Sequence, residues 1–377
     1  MIYLDNAATT LQKPEAVAKA VARAMLQCGN PGRSGHKPAM EAARIVYDCR
    51  CAAAELFGIQ EPEQVIFTAN ATHALNIAIN SLAECGGHAV ISGYEHNSVV
   101  RPLESITACH FGYTMALSAV FDQKDALEKI RMAIRPDTTF VVCNAVSNVF
   151  GNRLPIWEVD KLCARKGLAL VLDLSQAAGV MPLDCSKLKS RCFCCMPGHK
   201  SLYGPQGTGI LLCLNDIKPK PFTHGGTGSH SESYSQPDFL PDMLESGTLN
   251  VHGIAGLREG IRFVSGLGAA RIGAYEHMLC RKTAEGLSVI PGVTVYAGEG
   301  QTGVLSFSVS GMDPQEVCEK MGARGVCLRG GLHCAPLAHR SVGTMPHGTV
   351  RVSFSAFNRT GEVDRFLSAL QRVVKND

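Results

Sequence analysis

Charge of one sign is scarce in this chain of 377 residues: 36 Lys and Arg stand against 33 Asp and Glu, a formal net charge of +3. No dense Lys/Arg block interrupts that balance. The electrostatic footprint that nucleic acid or an anionic membrane requires is therefore missing, and neither partner is expected. Long apolar runs are missing as well, since no window reaches the roughly eighteen uninterrupted apolar residues of a spanning helix. The first residues, Met1-Ile2-Tyr3-Leu4-Asp5-Asn6, carry no basic leader ahead of an apolar run, which argues against a secretory signal and for a cytoplasmic location. Internal repeats and low-complexity tracts are absent too. Cysteine is the exception to this scarcity. Sixteen of them, spread over a long chain, read as reduced and mostly buried small hydrophobes rather than a disulfide framework. In Cys192-Phe193-Cys194-Cys195 the first and third residues share one strand face and Cys195 the other. With no second ligand pair at zinc spacing, no metal is expected.

What is present describes a globular protein with much to bury: 46% hydrophobic and 18% charged residues, in a length that suggests two domains. Helical spacing follows Pro14, with Val17, Val21 and Met25 on one face, and a second helix runs from about Ala39 to Leu56 after the glycine-rich break at 29–36. Short apolar runs at 64–68, 88–92, 139–143, 168–173, 191–196 and 208–214 then alternate with helical segments near 73–82, 125–134 and 157–166. Continuous apolar strands separated by helices predict an α/β fold, a mostly parallel sheet covered on both faces. Residues 218–247, rich in Pro, Gly and Ser, read as a long functional loop. A long helical stretch from about 254 to 287 follows. Beyond Pro291, strands near 293–296, 304–309, 326–329 and 349–355 and helices near 314–321 and 362–374 predict a smaller α+β domain. The expected division is a large domain over 13–252 and a small one over 253–377, with residues 1–12 packing on the latter.

Three stretches carry candidate chemistry. In Met196-Pro197-Gly198-His199-Lys200-Ser201, a lysine is fixed between an apolar strand and a glycine-rich turn. A fixed lysine amine suits Schiff-base formation, above all with the aldehyde of pyridoxal phosphate. The strand Leu170-Val171-Leu172 ends in Asp173, a carboxylate that could hold a pyridine nitrogen protonated or simply cap a helix. Phe67-Thr68-Ala69-Asn70-Ala71-Thr72-His73 opens a helix near His73, whose free N–H groups and Thr72 hydroxyl suit a phosphate, with His199 able to add to that cradle. By contrast, Gly204-Pro205-Gln206-Gly207-Thr208-Gly209 lacks a following helix and reads as a turn into the next strand rather than a dinucleotide loop.

With Tyr3-Leu4-Asp5-Asn6-Ala7-Ala8-Thr9-Thr10, these motifs resemble the class V branch of the fold-type I pyridoxal phosphate enzymes, and within it the cysteine desulfurases and selenocysteine lyases, over nearly the whole chain. The resemblance implies a fold-type I PLP-dependent transferase in which Lys200 bonds the cofactor aldehyde, Asp173 pairs with the pyridine nitrogen and Gln176 contacts the phenolic oxygen. It implies that His96, in Tyr94-Glu95-His96-Asn97-Ser98, stacks on the ring as a catalytic residue and that Asn148 lies beside cofactor and substrate. Ala71, Thr72 and His199 fall where the family binds phosphate. Thr248 falls where a neighbouring subunit reaches that phosphate, which implies a homodimer.

Arg329-Gly330-Gly331-Leu332-His333-Cys334-Ala335-Pro336 resembles the loop that carries the catalytic cysteine of the type II desulfurases. Gly348-Thr349-Val350-Arg351-Val352 resembles the strand whose arginine clamps a substrate carboxylate, a task for which a planar guanidinium fork is suited. Arg329 is a second candidate for the substrate. The implied activity is conversion of L-cysteine to L-alanine, sulfur leaving as a persulfide on Cys334 for an acceptor protein. Cationic neighbours, Arg329, Arg351 or a protonated His333, would favour the reactive thiolate. Two departures stand out: Leu332 occupies the place of a first histidine, and Pro197 that of a phosphate-binding serine or threonine. Open alternatives are a lyase acting on L-selenocysteine, another class V aminotransferase or lyase with no need of Cys334, and a sulfur-trafficking or metal-binding protein built on Cys192 to Cys195.

Overall fold

A computed structural model describes residues 1–32, 34–83 and 86–375. In chain order the elements are β1 (Ile2–Tyr3), α1 (Glu15–Gln27), α2 (Lys37–Phe57), β2 (Val65–Thr68), α3 (Ala71–Leu82), β3 (His88–Ser92), α4 (Asn97–Ile106), β4 (Gly112–Ala116), α5 (Gln123–Ala133), β5 (Thr138–Asn144), α6 (Ile156–Lys166), β6 (Ala169–Asp173), β7 (Cys192–Pro197) and β8 (Gly209–Leu214). There follow α7 (Val251–Leu267), α8 (Ala269–Ser288), β9 (Val293–Tyr296), β10 (Val304–Val309), α9 (Pro314–Gly322), β11 (Val326–Cys327), β12 (Arg329–Gly331), α10 (Pro336–Val342), β13 (Thr349–Ser353) and α11 (Thr360–Lys375).

Seven strands form one sheet in the order β2-β8-β7-β6-β5-β3-β4, parallel from β7 to β4, with β8 antiparallel to both its neighbours. The central strands are apolar on both faces because helices cover both. Leu170, Leu172, Cys192 and Cys194 face one core, while Val171, Phe193 and Cys195 face the other, the period-two alternation of a strand. Cys192 and Cys194 thus point the same way, their sulfurs 3.8 Å apart, and the described cysteines are free thiols. Among the described residues no group of three or more His, Cys, Asp or Glu side chains is placed to hold a metal ion. Nor, among them, is any helix long and apolar enough to cross a membrane.

A second, antiparallel sheet, β12-β13-β10-β9, packs with α8, α9 and α11 around Leu279, Phe307, Val350 and Phe366. The N-terminus joins this part, since β1 pairs with β11 and Leu4 enters the same core. The stretch expected as one helix from 254 to 287 is two: Gly268, at φ 85°, breaks it, and α7 begins at Val251 and packs on α1 and α2. Residues 218–247 are loop, as expected. Their far end is pinned by Glu245, which forms a buried ion pair with Arg50 of α2 at 2.8 Å and accepts the Phe67 N–H at 2.6 Å.

Candidate active site

In the seven-stranded sheet the chain runs from β3 outward to β4, then crosses to β5 on the other side of β3 and continues through β6 and β7. Such a reversal opens a crevice beyond the carboxyl ends of the strands, where α/β folds hold ligands. Here β5 ends at Asn144 and β6 at Asp173, the turn after β3 presents His96, and the turn after β7 presents Lys200. A cavity of about 200 Å³ is lined by Ala71, Thr72, His96, Asn148, Asp173, Gln176, His199, Lys200, Arg329, Cys334 and Arg351, which sequence reasoning had singled out separately. Thr248 stands apart from them in this chain, bordering two other clefts with Glu245 and Leu249.

The lysine loop is held rigidly. Gly198 has no room for a side chain, since a Cβ would meet Thr208 and Leu257. The His199 carbonyl accepts from Thr10 N at 3.2 Å and from Lys13 Nζ at 3.3 Å, and His199 Nδ1 lies 3.0 Å from Thr9 Oγ1. Burial pushes the Lys200 amine down to about 8; Asp173 opposes the shift, and Arg351 and Arg329 add to it. Asp173 is buried and accepts the Ser175 N–H at 2.8 Å. His96 caps α4, its Nδ1 accepting the Ser98 N–H at 3.0 Å, which leaves the proton on Nε2. Burial and then Lys200 push His96 down to about 4, and burial with Lys200 and Lys13 does the same to His199, so both rings are neutral at neutral pH.

The phosphate cradle differs slightly from expectation. Helix α3 starts at Ala71, two residues early, because Asn70 caps it by accepting the His73 N–H at 2.9 Å. The N–H groups of Ala71 and Thr72 belong to the helix's first turn, which has no internal partner for them. Thr72 Oγ1 lies 2.7 Å from Ser98 Oγ, tying this helix start to that of α4. Pro197, the last residue of β7, also lines the cavity and brings no hydroxyl.

At the opposite wall Arg351 is 1% exposed and forms an ion pair with Asp5 at 2.6 Å, while its Nη1 donates to the Asn148 carbonyl at 2.9 Å. Arg329 Nη2 lies 3.9 Å from the sulfur of Cys334, an exposed thiol. One expectation needs correcting. His333 is no cation: it is 4% exposed, and burial, followed by Arg351, holds its pKa well below the ordinary histidine range. The positive charge beside Cys334 comes from the arginines, Arg329 at 3.9 Å and Arg351 in the same cavity.

Sequence reasoning assigned no role to Asp5, Ser98, Ser175 or Asn144. Asp5 and Arg351 are 346 residues apart, so no local spacing could link them. The other three sit within three residues of His96, Asp173 or the end of β5, where polar residues follow strands or open helices and so signal an active site only weakly.

A family model described as Aminotransferase class-V matches residues 2–366. The chain belongs to the class-V aminotransferase family. Within it, the chain is similar to proteins named as cysteine desulfurases. It is 31% identical over 389 aligned residues to the "Probable cysteine desulfurase" of Mycolicibacterium paratuberculosis, matching along all of this chain but spanning only 56% of that relative's length. It is 30% identical to the "Probable cysteine desulfurase" of Pyrococcus abyssi, covering 100% of this chain and 95% of the relative. The solved apo structure of a cysteine desulfurase from Thermococcus onnurineus superposes with a TM-score of 0.90 at 30% identity, covering 100% of this chain and 95% of the other. The fold is therefore that of the fold-type I enzymes.

Members of this class-V family use pyridoxal phosphate, and the cavity suits that group. Three buried polar atoms in its lining lack partners among the described residues, namely Asn144 Oδ1, Asn148 Oδ1 and Arg351 Nε. Orphans of this kind mark places that a polar ligand completes. The same lining offers an enclosed amine for an aldehyde, a buried carboxylate, a neutral imidazole and a helix start for a phosphate.

Proposed function

We propose that this class-V enzyme is a cysteine desulfurase that converts L-cysteine to L-alanine and keeps the sulfur as a persulfide on Cys334. The observation that carries the reading is the arrangement of an enclosed lysine amine and an exposed thiol, backed by a guanidinium at 3.9 Å, around one cavity. Lys200, Asp173, Gln176, His96, Asn148, Ala71, Thr72 and His199 would hold pyridoxal phosphate. When bound, the cofactor supplies an aldehyde for condensation with amines and an electron sink for the substrate α-carbon. Asp173 would hold the ring nitrogen of that group protonated by its charge. Lys200 Nζ, lowered to about 8 by burial, is suited to take a proton from the α-carbon and return it. Arg351 and Arg329 bind the substrate carboxylate and bring its sulfur to Cys334. The Cys334 sulfur then bonds to the substrate sulfur, and the substrate Cβ–S bond breaks. The electron pair of that bond goes to Cβ, which a proton completes.

A homodimer in which Thr248 of one chain completes its neighbour's phosphate site, an acceptor protein for the persulfide and a cytoplasmic location belong to the same reading. The test is a paired assay with L-cysteine and L-selenocysteine, following alanine together with sulfide or selenide, in wild type and Cys334→Ser. Alanine from cysteine, lost in the variant while the cofactor colour stays, is the expected result. Turnover of selenocysteine alone, or turnover indifferent to the substitution, would move the assignment to a lyase.

A further inference from the structure

The turn that carries Cys334 is strained. His333 and Cys334 both have left-handed backbones, φ 53° and 56°, a conformation that costs a non-glycine residue of order 1 kcal/mol or more. Such a turn persists only where its surroundings over-determine it. Three contacts hold its backbone: Ala335 N donates to the Leu332 carbonyl at 2.9 Å across the turn, Asn148 Nδ2 donates to the His333 carbonyl at 2.8 Å, and Asn97 N donates to the Cys334 carbonyl at 2.7 Å. A fourth hold is the side chain of His333, which the proposed mechanism leaves without a task.

His333 Nε2 lies 3.1 Å from the Arg329 carbonyl, His333 Nδ1 lies 3.4 Å from His339 Nε2, and His339 Nδ1 lies 2.7 Å from Thr344 Oγ1. The proton positions follow from one end of this chain. A carbonyl only accepts, so His333 carries its proton on Nε2 and its Nδ1 is an acceptor. His339 then donates from Nε2 to His333, with the Leu332 carbonyl of the same turn a second acceptor beside its ring, and its Nδ1 accepts from the Thr344 hydroxyl. Both rings must stay neutral for the chain to close, and burial pushes His339 down to about 4 and His333 well below its ordinary value. The two ring planes lie within 20° of each other with centroids 5.6 Å apart, and Phe150 is edge-on to His339 at 5.8 Å. His339 is 0% exposed and sits on α10, so the chain runs from a helix to the cysteine turn.

We propose that His339 is a positioning residue: through its Nε2–H, with its tautomer set by Thr344, it locks His333 and so fixes the left-handed turn that presents the Cys334 sulfur to the cavity. His333 is thereby committed to structure and is unavailable to protonate a leaving group. The inference rests on the desulfurase reading only for its kinetic consequence, so two readouts are needed.

The first readout is independent of any reaction: the rate at which iodoacetamide alkylates Cys334 in the holoenzyme, followed by peptide mass spectrometry. His339→Phe keeps the ring and its packing but removes the donor. We expect it to change that rate several-fold, through loss of the contact with Arg329. His339→Gln, which retains an N–H near Nε2, should return the rate to within about twofold of wild type, and Thr344→Val should fall between the two. The second readout is alanine formation, where a misplaced nucleophile costs the bond-making step about tenfold or more, so kcat should fall in His339→Phe with KM within about twofold. Equal alkylation rates in wild type and His339→Phe, with cofactor colour retained, would overturn the proposal. So would a Gln variant as impaired as the Phe variant, because that would mean packing rather than the donated hydrogen bond. A wild type that alkylates as described yet makes no alanine from cysteine would instead sink the desulfurase reading and leave the positioning role standing.

Discussion

At the scale of single residues, the site is governed by charges taken out of water and by what compensates them. Arg351 is 1% exposed, and its compensating charge is Asp5 at 2.6 Å. Removing one partner of a buried pair leaves the other uncompensated, so Asp5→Asn should destabilise the protein by about 3 kcal/mol, measured by denaturant unfolding. A loss within error of zero would mean that solvent or another carbonyl already satisfies the guanidinium. Lys200 is the second case. An amine condenses with an aldehyde only when neutral, and burial brings this one down to about 8. The rate at which the cofactor-free chain captures pyridoxal phosphate should therefore rise with pH through about 8 and level off above it. A rate still climbing through pH 10 would show an ordinary, solvated lysine.

At the scale of elements, the polar junction between β3 and β5 governs how the strand ends are held. Glu95 is fully buried between them. It accepts from Ser92 Oγ at 2.5 Å and Asn144 N at 2.7 Å, and burial pushes its pKa up to about 8. A carboxyl whose folded pKa lies above its unfolded value contributes stability that is fully present below about 4.5 and is lost as pH rises through about 8. Wild type should thus lose more thermal stability than Glu95→Gln between pH 6 and 9. Parallel curves would show that Glu95 is ionised in the fold.

The large-sheet strands that were legible in the sequence were those buried on both faces, because a continuous apolar run has few other readings. β4 was missed: Gly112–Ala116 is a half-buried edge strand without such a run. α4 was missed because Pro102 interrupts it, and α10 because seven residues span only two turns. The break at Gly268 hid inside an unbroken helical pattern. In the site, motif residues were legible because their chemistry is specific. The Asp5–Arg351 pair and the His333–His339–Thr344 chain were not, since each depends on tertiary contacts that local spacing does not encode.

At the scale of the whole molecule, the cavity joins the large sheet, built from the middle of the chain, to a layer that the chain visits at both of its ends. Arg351, with Asp5 behind it, comes from the β1 to β13 side, Asp173 and Lys200 from the large sheet. We propose that the chain divides between these layers as two units, with α7, which packs on α1 and α2, lying across the boundary expected at 252 and 253. Thr248 lies outside the cavity of its own chain, so a shared site in a dimer has a direct test. The protein should sediment at twice the chain mass. Thr248→Ala should lower cofactor affinity, and mixing it with Lys200→Ala should yield dimers that retain one intact site. A monomer with full cofactor affinity would contradict that arrangement.

The central claim is that the enclosed lysine and the exposed thiol act on one substrate. Its most direct measurement is the mass of the Cys334 peptide after a single turnover with L-cysteine, compared between wild type and Lys200→Ala. The expected result is a gain of one sulfur atom on Cys334 in the wild type, matched by alanine released, and no gain in the lysine variant. Alanine formed with no added sulfur on Cys334, or sulfur added equally in both proteins, would contradict it.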